Sequence, residues 1–158
     1  MGCAVTGRAG AGPAAEPPAV GPPGTGSPAA DSAFAACTLP ATRVAVPETR
    51  TFAATVLSVW RAPEDVVFAV RAIVSEFVGN SVLHSGSAHV GLRLTRTGSV
   101  LRIEVSDAGA WRPAAAPAAQ DAGEAEAGRG LILVRAYADR SGIVRSAVGT
   151  RAWAQLTW

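Results

Sequence analysis

The sequence predicts an α/β (α+β) two-layer sandwich, in which a mixed, mainly antiparallel sheet carries helices on one face. Three observations carry this. Residues 66–85 place apolar side chains at helical spacing, the pattern of an amphipathic helix. The stretches 89–96, 99–107 and 151–158 each alternate apolar and polar residues, the pattern of half-buried strands. Hydrophobic residues make up 49% of the 158, enough for a real core in one domain with a tail.

Each element follows from local chemistry. Residues 1–33 are Gly, Pro, Ala and Ser with almost no large apolar side chain. Such a segment cannot bury enough surface to offset its chain entropy, so a disordered tail is expected there, with the folded domain over 34–158. A short strand is expected at 34–39, ended by Pro40. A first helix over about 47–60 has Val46, Phe52, Val56, Leu57, Val59 and Trp60 on its apolar side and Glu48 near its start. The break Arg61-Ala62-Pro63 leads into the central helix. There Val66, Val67, Val70, Ile73, Val74, Phe77 and Val78 form the apolar stripe, and Glu64 and Asp65 favour the positive end of the dipole. Gly79 lowers helix propensity and reads as a place where something packs close to the backbone. Ser85-Gly86-Ser87 ends the helix.

The strands come next. Over 89–96, Val90, Leu92 and Leu94 share one face. Over 99–107, Leu101, Ile103 and Val105 do the same, and Asp107 falls in that inward set. Residues 110–127 are rich in Ala, Pro and Gly, with Asp121, Glu124 and Glu126. A structureless stretch of that length inside a compact domain is a functional lid or disordered. Gly128-Arg129-Gly130 then opens directly into an apolar helix beginning at Leu131. A hairpin closes the chain, with strands at 141–146 and 151–158. Ala152, Ala154 and Leu156 alternate with Trp153, Gln155 and Thr157, and Thr150 begins the inward set.

Composition narrows the function classes. The net charge is only +2 and no cluster of five or six basic residues occurs, so direct nucleic-acid binding is not expected. Two cysteines, Cys3 and Cys37, make neither a disulfide framework nor a metal site by spacing. No apolar run reads as a membrane span, and the start lacks the apolar core of a secretory signal. A cytoplasmic setting is expected.

Three features could carry chemistry. Glu76, Asn80 and His84 are each four residues apart and stack along one stripe of the central helix. A carboxylate and a carboxamide one turn apart can hold a divalent cation and a water, since both offer hard oxygen ligands. The same pattern is also that of an ordinary surface stripe. Asp107 is a carboxylate on an apolar face, and a buried carboxylate needs donors, which a ligand could supply. The alternative is a strand-end Asp capping a turn. Glycines before a helix let free N–H groups cradle an anion, although most such loops are only turns.

Taken in order, these pieces resemble one family. The matching stretches are Ser75-Glu76-Phe77-Val78-Gly79-Asn80-Ser81-Val82-Leu83-His84, then Val105-Ser106-Asp107-Ala108-Gly109, then Gly128-Arg129-Gly130-Leu131, then the Gly149-Thr150 hairpin. They resemble the GHKL ATP-binding superfamily, which includes gyrase B and sensor histidine kinases. The spelling is nearest to its small stand-alone branch, the anti-sigma-factor serine kinases, in their actinobacterial form.

The resemblance covers about 34–158 and implies a set of roles. Asn80 would ligate Mg²⁺ bridging the phosphates of ATP, and Glu76 would be the general base. Asp107 would accept the adenine amino proton, Gly109 would let the adenine approach, and Thr150 would support the adenine side. Gly128, Arg129 and Gly130 would close over the phosphates. His84 stands where relatives often have His, and a structural role is expected for it. The implied activity is a serine/threonine protein kinase that phosphorylates a small antagonist protein and binds a sigma factor, as a homodimer. The alternative is an ATP-binding interaction module with little or no kinase activity. Ala110-Trp111 stands where larger relatives carry a second glycine, and neither a phosphoacceptor-histidine helix nor a transducer domain is evident.

Overall fold

The computed structural model describes residues 2–6, 32–109 and 124–158. The elements run β1 (Gly2–Thr6), β2 (Ser32–Pro40), α1 (Ala45–Val59), α2 (Glu64–His84), β3 (His89–Thr97), β4 (Val100–Asp107), α3 (Glu124–Tyr137), β5 (Arg140–Ser146) and β6 (Gly149–Thr157). They form one six-stranded sheet in the order β1-β2-β3-β4-β6-β5, and each described pair is antiparallel. The parallel component allowed for in a mixed sheet is absent among the described residues. The two-layer arrangement stands, with α1 against β2 and β3, α2 across β3, β4 and β6, and α3 against α2 and β5.

The alternation in the strands places the core. Ala35, Cys37 and Leu39 of β2, Val90, Leu92 and Leu94 of β3, Leu101, Ile103 and Val105 of β4, and Ala152, Ala154 and Leu156 of β6 are buried on the helical face. Val66, Val70, Ile73, Val74, Phe77 and Val78 of α2 meet them from above, as the stripe predicts, while Val67 is only half-buried. Val59, expected on the apolar side of α1, is 70% exposed because the helix ends there and the chain turns away. The other sheet face is polar. On it the Arg102 guanidinium pairs with Glu104 at 3.1 Å and lies 4.5 Å above the Trp153 ring.

Four local expectations change. Gly2–Thr6 pair with β2, so five residues of the expected tail form the sheet's edge strand, and β2 begins at Ser32; residues 7–31 lie outside the described residues. Helix α3 begins at Glu124, so Gly128, Arg129 and Gly130 lie inside the helix and not in a loop before it. The Glu and Ala residues at 124–127 are good helix formers with carboxylates at the favourable end, and they extend the helix past two glycines that cost it about 1 kcal/mol each. A Cβ at Gly79 would meet nothing within 4 Å among the described residues, so the expected close approach is not found there. Finally, α2 is long and apolar enough by composition to cross a membrane, contrary to the reading of the run itself; here it is the central core helix.

Candidate functional site

The site is built on α2 and the end of β4, the strand flanked by β3 and β6. Helix α2 crosses the sheet above β4, which brings its last turns over Asp107. Asp107 is buried, 8% exposed, on the inward face as the alternation predicted, and it lies opposite Thr150 in register. Its carboxylate is held on both oxygens. Ser81 Oγ donates to Oδ2 at 2.6 Å, and the Gly109 N–H donates to Oδ1 at 3.0 Å. Thr150, itself buried, donates its hydroxyl to the Gly109 carbonyl at 3.3 Å.

Asp107, Gly109 and Thr150, three residues from two distant stretches of sequence, therefore meet at one point. Two glycines make this closeness achievable. Gly109 packs so tightly on the Ser85 carbonyl that a side chain there would clash with it, and Gly149 sits equally tightly on the Asp107 carbonyl with φ of 139°. That φ lies in a region L side chains rarely adopt.

Sequence reasoning missed the serines that hold this turn. Besides Ser81, Ser85 Oγ donates to the Ser81 carbonyl at 2.6 Å and accepts the Ser87 N–H at 3.0 Å. Ser87 Oγ in turn accepts the Ala108 N–H at 3.2 Å. The end of α2 is thus tied to the Asp107-Ala108-Gly109 turn by a short hydroxyl relay. A signal was present, since 74, 77, 78, 81 and 85 continue one helical stripe, and a serine in an apolar stripe needs a partner.

Glu76 and Asn80 lie farther back on α2, both half-buried and one turn apart. Ser81 and Glu76 are five residues apart, about 7.5 Å along the helix axis. Helix α3 runs antiparallel beside them. Gly130 stands at the level of Glu76, while Tyr137 meets Phe68 edge-to-face at 5.9 Å. The Gly130 backbone lies against the Glu76 carboxylate so closely that a Cβ would collide with Oε2. This cover explains why burial raises the Glu76 pKa above the usual carboxylate range.

Gly128 and Arg129 share the first turns of α3 with Gly130. His84 is exposed in the last turn of α2. The expected lid falls at 110–127. Of it, 110–123 lie outside the described residues, and 124–127 belong to α3.

One long helix thus joins a buried strand-end carboxylate to a carboxylate–carboxamide pair. The family model for the histidine kinase-like ATPase domain matches residues 39–156. The chain belongs to that family, an ATP-binding one. Among solved structures, the crystal structure of the RsbU and RsbW domains of Rv1364c from Mycobacterium tuberculosis is similar, with a TM-score of 0.63 at 22% identity. That match takes in 78% of this chain and 32% of the other, so this chain spans about a third of that one's length. No curated protein matches the chain.

Proposed function

We propose that the protein is a regulatory serine/threonine kinase that transfers the γ-phosphoryl group of ATP to a seryl hydroxyl of a small antagonist protein, and that it binds a sigma factor. The observation that carries this is the placement of Asp107 against Ser81, with Glu76 and Asn80 further along the same helix. A ligand whose base is read at Asp107 and whose phosphates lie near Asn80 would stretch along α2. The similarity to a structure containing an RsbW domain supports the regulatory assignment.

In this reading the Asp107 carboxylate, kept in place by the Ser81 hydroxyl and the Gly109 N–H, accepts a hydrogen bond from the adenine amino group. Guanine carries a carbonyl at that position and would face the carboxylate with an acceptor. Thr150 fixes the Gly109 carbonyl and so the shape of the adenine side. Asn80 offers one carboxamide oxygen, which suits Mg²⁺, an ion that takes one or two protein ligands beside phosphate oxygens and waters. Bound there, the ion would neutralise phosphate charge. Glu76 accepts the hydroxyl proton as the serine oxygen attacks the γ-phosphorus and ADP leaves. Burial raises its pKa, the direction that makes a carboxylate a stronger proton acceptor. Gly128, Arg129 and Gly130 close over the phosphates from the start of α3. Phosphoryl transfer needs positioning and charge neutralisation more than covalent chemistry, so this small set is sufficient. The kinase would act in the cytoplasm as a homodimer.

The second reading, an ATP-binding interaction module without turnover, is favoured by one observation. Gly130 covers the Glu76 carboxylate, as it would in a site that holds nucleotide without using the base. Calorimetric titration with ATP, with and without Mg²⁺ and with GTP as control, tests the binding half of both. Adenine-selective, Mg²⁺-dependent binding is expected, and Asn80→Ala should remove the Mg²⁺ dependence. Unchanged Mg·ATP binding by that variant would overturn the metal assignment. Glu76→Gln separates the readings, since it should keep ATP affinity and abolish transfer to a candidate antagonist in a kinase.

A further inference from the structure

The protein has two cysteines, 34 positions apart in sequence, and the β1–β2 register sets Cys3 directly opposite Cys37. Directly opposed residues of an antiparallel pair share a sheet face, with Cα atoms about 4.5–5.5 Å apart. A disulfide spans Cα separations of about 4.4–6.8 Å. Cys37 is buried on the helical face of β2, and position 3 shares that face on the outermost strand.

We infer that Cys3 and Cys37 form a reversible disulfide that latches β1 onto the sheet. Sequence spacing offered no reason to join them; the register does. The oxidant is a small-molecule disulfide. The Cys3 thiolate, on the edge strand, attacks one of its sulfurs, forming a mixed disulfide and expelling one thiolate. The Cys37 thiolate then attacks the Cys3 sulfur, closing the protein disulfide and expelling the second. Two electrons pass to the small molecule, which leaves as two thiols carrying the two protons. Closed, the bond keeps β1 as the sixth strand; open, it lets β1 leave and bares the outer edge of β2, a row of unpaired backbone groups. This inference rests on the strand register alone and is independent of the kinase reading.

The test uses the full 158-residue chain with oxidised glutathione as the probe. Trypsin cuts after Arg8 and Arg43, so Cys3 and Cys37 fall on peptides 1–8 and 9–43, joined only through the bond. The expected result is that linked pair from protein that runs as a single chain on a non-reducing denaturing gel, two hydrogens lighter than the reduced chain. Amide exchange at residues 2–6 should slow at least about tenfold on oxidation, an effect lost in Cys3→Ser. Stable glutathione on Cys3 with Cys37 unmodified, linkage only between chains, or exchange at 2–6 that ignores oxidation would each overturn the latch. Cys3→Ser changes the edge strand and leaves the core residue Cys37 in place, so the readout does not depend on a variant that fails to fold.

Discussion

Ser81 is the residue on which the Asp107 end of the proposed site depends most. Its hydroxyl donates to a buried carboxylate at 2.6 Å, and hydrogen bonds to charged groups contribute about 1.5–3 kcal/mol. Ser81→Ala is expected to lower stability by about 2 kcal/mol in urea unfolding. It should also narrow the preference for ATP over GTP, because the Asp107 carboxylate loses the hydroxyl that holds Oδ2. Asp107→Asn should narrow the same preference by replacing part of the acceptor with a donor.

Glu76 allows a pH test. Burial raises its folded pKa above the ordinary 4.5. Protonated below the ordinary range, the folded and unfolded forms differ little there. As pH rises through the raised folded pKa, the buried carboxylate must ionise and stability is lost. Glu76→Gln escapes that loss. The variant should match the parent in acid and become the more stable of the two as pH climbs towards neutrality, measured by urea unfolding across that range. A difference that does not change with pH would mean that Gly130 does not desolvate the carboxylate.

The elements carry their own tests, and two glycines in helices give opposite expectations. At Gly79 of α2 a Cβ has open space among the described residues, so Gly79→Ala should stabilise by about 0.5–1 kcal/mol through helix propensity. At Gly130 of α3 the same change brings a similar propensity gain but drives a methyl into the Glu76 carboxylate. Gly130→Ala should therefore be the less favourable of the two in urea unfolding and should separate the start of α3 from α2. The link between α1 and α2 stores some strain at Arg61, which adopts φ of 55° while Ala62 N–H reaches back to the Leu57 carbonyl at 3.0 Å. This is the left-handed helix end that glycine usually fills. Arg61→Gly is expected to raise stability by about 0.5–1 kcal/mol, seen as a higher urea midpoint with an unchanged slope.

At the scale of the molecule, the proposed site is divided between the packed centre and a separate cover. Asp107, Thr150, Ser81, Glu76 and Asn80 stand on α2, β4 and β6, which form the packed centre. Gly130 belongs to α3, which reaches the centre through its contact with α2 and, at the sheet's edge, with β5. Nucleotide should therefore stabilise the whole domain by mass action. At a hundred times its dissociation constant, Mg·ATP adds about 2.7 kcal/mol, which for a chain of this size is roughly a 5–10 °C rise in Tm. A thermal scan with and without Mg·ATP reads this directly, and Asn80→Ala should lose most of the shift.

Much of this was legible in the chain. The apolar periodicity of 66–78 and the alternation in 89–107 and 149–157 specify α2, β3, β4 and β6 and their inward faces, because side-chain direction repeats with the local backbone. Asp107 and Thr150 were assigned inward for the same reason, and the structure buries both. The motif order around Glu76, Asn80 and Asp107 was enough to identify the family. What the chain could not show locally was adjacency. That β6 inserts between β4 and β5, setting Thr150 beside Asp107, is a pairing across more than forty residues, which periodicity does not encode. That Ser81 meets Asp107 depends on where α2 crosses β4. The start of α3 went unread because two glycines signal a loop locally, whereas packing on α2 keeps them helical. The juxtaposition of Cys3 with Cys37 depends on strand register alone, since β1 has no periodicity of its own strong enough to mark it as a strand.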